Sequence, residues 1–389
     1  MDGAKFAKML SDKHLFELDR MEYKYSVSSV NEFTELLRQN FAQSLPLVDF
    51  SSDELFYLPN LARISTNGMK QLLSAPASNQ SFGLQAMTEE IHATFQIESI
   101  HSSRNSIRHI LNGYAPRNEE ESRIYGMKRG LDFIADRQNT ITEENLHQLY
   151  QISTGDYLPD EDRLLPDHFY RHDVVYVVDG EESREGLPAQ QLPDAMKRLV
   201  DFANAKDGIN ELHKAAILHF AFAYYHPYFD GNGRTARLLH LWYLVQQGYS
   251  AALFTPFSRY IAESKAAYYK AYDRVEKNAL ISGYTDVTPF LSYFCNEVYN
   301  RLQVDAAPPQ ADLQVYQTAL AEGKITEKER LLWEYVLSAY GTEEFTTKQL
   351  EKDFRNAAYA TIRTFVMKFH EMELLVARKT GNRVFYKVK

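Results

Sequence analysis

The segment His226 to Arg237, HPYFDGNGRTAR, brings together the side chains that phosphate chemistry needs. Gly231 and Gly233 let the backbone approach a ligand closely, and the amides that open a following helix are unpaired and aim outward. Such a helix start binds anions, phosphates above all. Arg234 and Arg237 stand three apart, hence on one helix face, and both can reach a polyphosphate. Asp230 precedes the glycines, where a carboxylate can hold Mg²⁺ against phosphates. His226 is placed to act as a general base. Taken singly, His-Pro, Asp-Gly and Asn-Gly are turn dipeptides and the arginines a solvated face. A plain turn, however, does not require base, acid, glycines and two arginines in one ordered string. Gly231 to Ala236 has the spacing of a dinucleotide fingerprint, but a helix precedes it instead of a strand. No Walker A string occurs.

The elements that must position this segment are mostly helical. Apolar residues at helical spacing predict helices over Glu211 to Tyr225 and Asn232 to Gln247, so the string is a tight helix-loop-helix connection. The same periodicity runs from Met87 to about Phe290. One exception is Phe169 to Val178, rich in β-branched and aromatic residues and followed by Asp179-Gly180, which predicts a strand entering a hairpin turn. Ser74 to Phe82 reads as a connector and Asp305 to Asp312, with Pro308 and Pro309, as a linker. Beyond the linker, Thr326 with Glu329 forms a capping-box pattern opening a helix to about Tyr340. Further helices start near Thr347 and Ala358, and strands over Leu374 to Arg378 and Arg383 to Lys387 meet at Gly381-Asn382. That order resembles a winged helix-turn-helix domain. The expected division is 1–110, with an inhibitory helix around 88–100, then 111–304 and 313–389; the fold class is mainly α.

Of 389 residues, 44% are hydrophobic and 24% charged, which excludes disorder and a fibrous fold. The formal charge of -9 argues against general binding to nucleic acid or anionic membrane. That balance is uneven: Arg355 to Lys389 holds eight Lys/Arg and two Glu, a local +6, against -15 for residues 1–354. One cysteine, Cys295, allows no intramolecular disulfide, and the longest apolar run, Ala215 to Tyr225, is too short for a bilayer. The start, Met1 to Phe16, does not read as a signal peptide. The expectation is a soluble, cytoplasmic protein without membrane contact.

The string resembles the signature of Fic proteins, His-Pro-Phe-x-Asp-Gly-Asn-Gly-Arg-x-x-Arg, and departs from it only at Tyr228, whose hydroxyl requires a partner or a path to solvent. The resemblance extends over roughly Phe56 to Glu297. It implies a Fic-fold bundle with a β-hairpin flap within His168 to Val178 that aligns a target by strand addition. It implies an adenylyltransferase: His226 takes the proton of a Ser, Thr or Tyr hydroxyl on a target protein, which attacks the α-phosphate of ATP. Asp230 would hold Mg²⁺; the amides of Gly231, Asn232 and Gly233 would form the anion hole, and Thr235, Arg234 and Arg237 would belong to the phosphate site. Tyr269, with Tyr268 beside it, resembles positions near the adenosine, although aromatics at this spacing also pack cores.

Many Fic proteins carry an inhibitory Ser/Thr-x-x-x-Glu-Gly/Asn pattern. Thr94 to Ser99, TFQIES, supplies the Thr and Glu98 and has Ser99 in the last place. Glu98 would pair with Arg237 and displace the γ-phosphate. Transfer of another phosphate-containing group, removal of AMP, and a nucleotide-sensing DNA-binding regulator remain alternatives. For the tail, Arg363, Lys368, Arg378, Lys379 and Arg383 are the residues that could meet DNA; a protein or dimer contact is the other reading. A family tendency to self-associate adds a homodimer, and the chain itself is a conceivable target.

Overall fold

The computed structural model describes residues 1–65, 80–179, 182–249 and 251–302 and, beyond 315, all but 317, 321, 341–343, 355–356 and 382. The linker over Asp305 to Asp312 lies outside the described residues, as do most of the connector at Ser74, Gly180 of the hairpin turn and Asn382. The described chain is mainly α-helical.

Three helices, α1 (Gly3–Leu10), α2 (Leu18–Tyr25) and α3 (Val27–Phe41), open the chain. They share a small core with Phe56 and Leu58, built on Met9, Met21, Val30 and Phe33. An antiparallel pair follows, β1 (Gln43–Val48) and β2 (Glu54–Tyr57). The main core then gathers α4 (Gln80–Ile97), α5 (Arg104–Leu111), α6 (Glu119–Ala135), α7 (Glu143–Ser153) and α8 (Leu192–Asn204) around a central helical hairpin. That hairpin is α9 (Glu211–Tyr225) and α10 (Asn232–Gln246), within one residue of the lengths read from the sequence. Both are buried on nearly every side, sheathed by other helices, with Arg234 and Arg237 among the polar residues that α10 holds inside. Then come α11 (Phe257–Glu263), α12 (Lys265–Ser282) and α13 (Thr288–Tyr293).

After the linker, α14 (Glu327–Ala339) begins with the expected capping box: Thr326 accepts from the Glu329 amide, and Glu329 accepts from the Thr326 amide. With α15 (Thr347–Phe354), α16 (Tyr359–Glu371) and the hairpin β5 (Leu375–Thr380) and β6 (Arg383–Val388), it closes a separate core on Trp333, Phe365 and Phe369. Helix α14 also packs against α4. No helix among the described residues is long and apolar enough to cross a membrane.

The expected strand over Phe169 to Val178 is largely absent. Only its end forms β3 (Tyr176–Asp179), paired with β4 (Glu182–Glu185). The cause is Arg171, whose guanidinium donates to the carbonyls of His226, Asp173 and Leu187 and holds the chain ahead of β3 in an irregular, largely exposed turn. Periodicity reports which faces are apolar; it does not report an arginine spending its donors on three carbonyls.

Candidate active site

The loop between α9 and α10 is held by its own atoms. Asn232 accepts from the Tyr228 amide at 2.9 Å and donates to the Tyr228 carbonyl at 2.8 Å, closing the turn from inside. His226 is the C-cap of α9 with φ 55°, in the left-handed region that, glycine apart, mainly Asn, Asp and His enter. Arg171 steadies it by a 2.8 Å bond to its carbonyl, and the Arg171 amide donates to the Pro227 carbonyl. Burial weakens the hold of Arg171 on its proton, partly offset by Asp173. Gly231 caps α10 with φ 79°, and a Cβ there would lie 2.3 Å from the Thr154 methyl. Gly231→Ala is therefore expected to lower stability by about 2–4 kcal/mol, combining the left-handed cost with overpacking. A shifted urea midpoint at unchanged slope would measure it.

Tyr228 packs flat on Tyr150, ring centroids 3.6 Å apart, with Phe222 beside it. Its hydroxyl is fully buried and has neither the partner nor the solvent path expected, among the described residues. Burial pushes its ionisation well above the ordinary tyrosine range. Tyr228→Phe removes an unsatisfied polar atom and is expected to raise stability by about 1 kcal/mol without loss of whatever activity the site has; a lower denaturation midpoint would contradict it.

Beyond the loop, both arginines turn onto one carboxylate. Arg237 Nη2 donates to Glu98 Oε1 at 2.5 Å, and Arg234 Nε donates to Glu98 Oε2 at 2.9 Å. The arginine side chains are only 4% and 3% exposed for Arg234 and Arg237, and Glu98 is 17% exposed, so water screens these pairs little. Arg237 Nε also donates to Thr94 Oγ1 at 2.6 Å. Burial disfavours the charge on Arg237, yet Glu98 outweighs it and the pKa is raised. The sequence expectation had Glu98 on Arg237 alone; Arg234 joins because α10 places the two arginines on one face. The Glu98 carboxylate also lies over the helix start: a Cβ on Gly233 would fall 2.5 Å from its Oε1. An anion thus sits at a helix N-terminus, where the peptide dipoles favour one.

The remaining expected residues divide. Asp230 is half exposed; it accepts from the Gly231 amide at 2.5 Å and from Arg234 Nη2 at 3.0 Å. Among the described residues no group of three His, Cys, Asp or Glu side chains stands ready to hold a metal. A lone carboxylate at a helix start nevertheless suits Mg²⁺ arriving with a polyphosphate, since that ion takes few protein ligands and keeps several waters. Thr235 is buried and its hydroxyl returns to the Gly231 carbonyl at 3.0 Å. Tyr268 belongs to the core, bonded to His219 at 2.8 Å, whereas Tyr269 is half-buried and reaches the Ile97 carbonyl at 3.5 Å, at the end of α4. Ser99 sits at φ 57°, which gives the Gly/Asn of the inhibitory pattern a backbone reason.

Sequence reasoning missed Arg171, Thr154 and Glu90. The first carried one signal, an arginine inside an apolar run; the other two carried none, because their role depends on chain brought from elsewhere. In the tail, Lys368 is bound to Glu329 at 2.8 Å and Arg378 to Glu344, so two of the five cations considered for DNA are neutralised internally, while Arg363, Lys379 and Arg383 are exposed.

Residues 140–244 match the model of the Fic/DOC family. The protein adenylyltransferase fic-1 of Caenorhabditis briggsae is 24% identical over 181 residues, 45% of this chain and 31% of that protein. A probable protein adenylyltransferase of Aquifex aeolicus is 30% identical over 113 residues, 28% of this chain and 35% of the relative. The chain thus spans about a third of the length of these curated relatives. Among solved structures, a Fic family protein from Desulfovibrio desulfuricans G20 aligns over 78% of this chain and 86% of its own, with TM-score 0.49 and 17% identity.

Proposed function

The chain belongs to the Fic family, and from that premise we propose that it is a protein adenylyltransferase restrained by its own Glu98. The observation that carries the restraint is the pairing of one carboxylate with both Arg234 and Arg237 over the start of α10. The curated relatives named as adenylyltransferases support the reaction class.

In the open state the Gly231, Asn232 and Gly233 amides and the two arginines bind the phosphates of ATP, with Tyr269 beside the nucleoside. Asp230 is the carboxylate suited to Mg²⁺, which when bound offsets charge on the phosphates. His226 accepts the proton of a Ser, Thr or Tyr hydroxyl on the target. The hydroxyl oxygen forms a bond to the α-phosphorus, the bond to the bridging oxygen breaks, and pyrophosphate leaves with that electron pair. AMP remains on the target as a phosphodiester. Arg171 sets the geometry of the base through the His226 carbonyl, and the β3–β4 hairpin offers an edge for the target segment. With Glu98 in place, the arginines are engaged and a bound nucleotide is turned away from in-line attack.

The test is to incubate the protein with Mg²⁺ and each labelled nucleoside triphosphate, wild type beside Glu98→Gly, and weigh the products. An added AMP on a hydroxyl supports the reading. A different adduct moves the activity to another group, and no adduct in either variant removes it.

A further inference from the structure

Helix α4 carries a third polar residue on the side of the brake. Glu90, Thr94 and Glu98 follow one another at four-residue spacing, so they form a stripe along one face. The second and third reach Arg237 and Arg234. The first goes elsewhere: Glu90 Oε2 accepts from the Ser258 amide at 2.9 Å, and Oε1 accepts from the Ser258 hydroxyl. Glu90 is 4% exposed and Ser258 wholly buried.

The need for this contact lies in α11. Its N-cap is Pro256, which offers no side-chain acceptor, and its first turn contains no acidic residue. Unfilled, the amide of its second residue would be a buried orphan donor. A carboxylate from α4 fills that place. Burial raises the Glu90 pKa, and the two Ser258 bonds and the nearby charge of Arg237 pull the other way. The neighbours of Glu90 on α4, Ile91 and Phe95, are buried apolar residues. Apolar packing holds a helix in the core but is non-directional; a two-pronged bond fixes rotation and axial position as well.

We propose that Glu90 is a positioning residue for the inhibitory contact: by capping α11 from α4, it sets where Thr94 and Glu98 stand relative to Arg237 and Arg234. The proposal rests on the reading of Glu98 as a brake.

The test compares ATP-dependent self-modification, by intact mass, in wild type, Glu90→Ala, Glu90→Gln, Glu98→Gly and the double variant Glu90→Ala with Glu98→Gly. Loss of both buried hydrogen bonds to Ser258 predicts about tenfold faster transfer in Glu90→Ala. Glu90→Gln, which keeps an acceptor for the amide and donates to the hydroxyl, should stay within about twofold of wild type. The double variant should equal Glu98→Gly, since a brake already removed cannot be mispositioned. A folded Glu90→Ala with wild-type transfer, or a double variant faster than Glu98→Gly, overturns the proposal. If Glu98→Gly itself transfers no faster than wild type, the brake reading fails separately, and hydrogen exchange of α4 peptides still decides the anchor. Faster exchange in Glu90→Ala but not in Glu90→Gln supports it, and equal exchange overturns it. Should Glu90→Ala fail to fold, Ser258→Ala keeps the amide and loses the hydroxyl: about threefold faster transfer supports the proposal, and no change overturns it.

Discussion

Replacing Glu98 by Gly is expected to raise AMP transfer by about a hundredfold, the size of effect that an ångström of misplacement at the reacting centre produces. The reason lies in what each arginine does now. Arg234 and Arg237 are nearly buried and each has a charged bond to Glu98, so neither is free to orient a phosphate. Removing the carboxylate restores both. It also leaves two buried guanidinium groups short of a partner, so the apo variant should lose about 2 kcal/mol of stability. ATP with Mg²⁺ should return that loss, because phosphate oxygens take the place of the carboxylate oxygens. Thermal unfolding with and without nucleotide therefore checks the same claim without relying on activity. The shift on adding ATP must be larger in Glu98→Gly than in wild type. Equal shifts and equal transfer rates would mean that Glu98 is an ordinary structural partner.

His226→Ala is expected to lower transfer by roughly 10²- to 10⁴-fold in the Glu98→Gly background, the range for removing a positioned general base. Nucleotide binding should survive, since the amides and arginines that grip phosphates remain. The backbone complicates this variant: at φ 55°, in the left-handed region where His and Asn are both enriched, alanine is less well tolerated than either. His226→Asn separates the two effects, because asparagine tolerates the left-handed region and cannot take the proton. If both variants lose transfer to the same extent while only the alanine loses stability, the loss belongs to the missing base. Transfer retained by His226→Asn would assign the proton to another acceptor.

How far the sequence discloses this molecule depends on how local each feature is. The α9–loop–α10 unit is written in neighbouring residues: apolar surfaces on two helices, glycines where φ must be positive, and an asparagine that bonds only four residues back. The capping box of α14 is equally local and forms as expected. The Thr94–Glu98 pattern could be seen, and its contact with Arg237 anticipated, because a known pattern links distant segments; composition alone would not have joined residues 139 apart in the chain. What stayed hidden depends on tertiary partners. Phe169 to Val178 is rich in strand-forming residues, yet the donors of Arg171 override that propensity ahead of Tyr176. Glu90 resembles any helical glutamate until α11 is seen to start without a cap of its own. The hydroxyl of Tyr228 is a single atom whose environment is set by Tyr150 and Phe222.

The Glu98 carboxylate and the two arginines it engages belong to one folded chain. On the proposed reading the inhibitor is therefore tethered beside its target, and its local concentration is fixed by geometry, not by how much protein is present. Dilution cannot dissociate it, and a competing polyphosphate meets the same resistance in a nanomolar assay as in a crowded cell. The restraint then lowers transfer by a constant factor, set by the fraction of molecules in which Glu98 has left the two arginines.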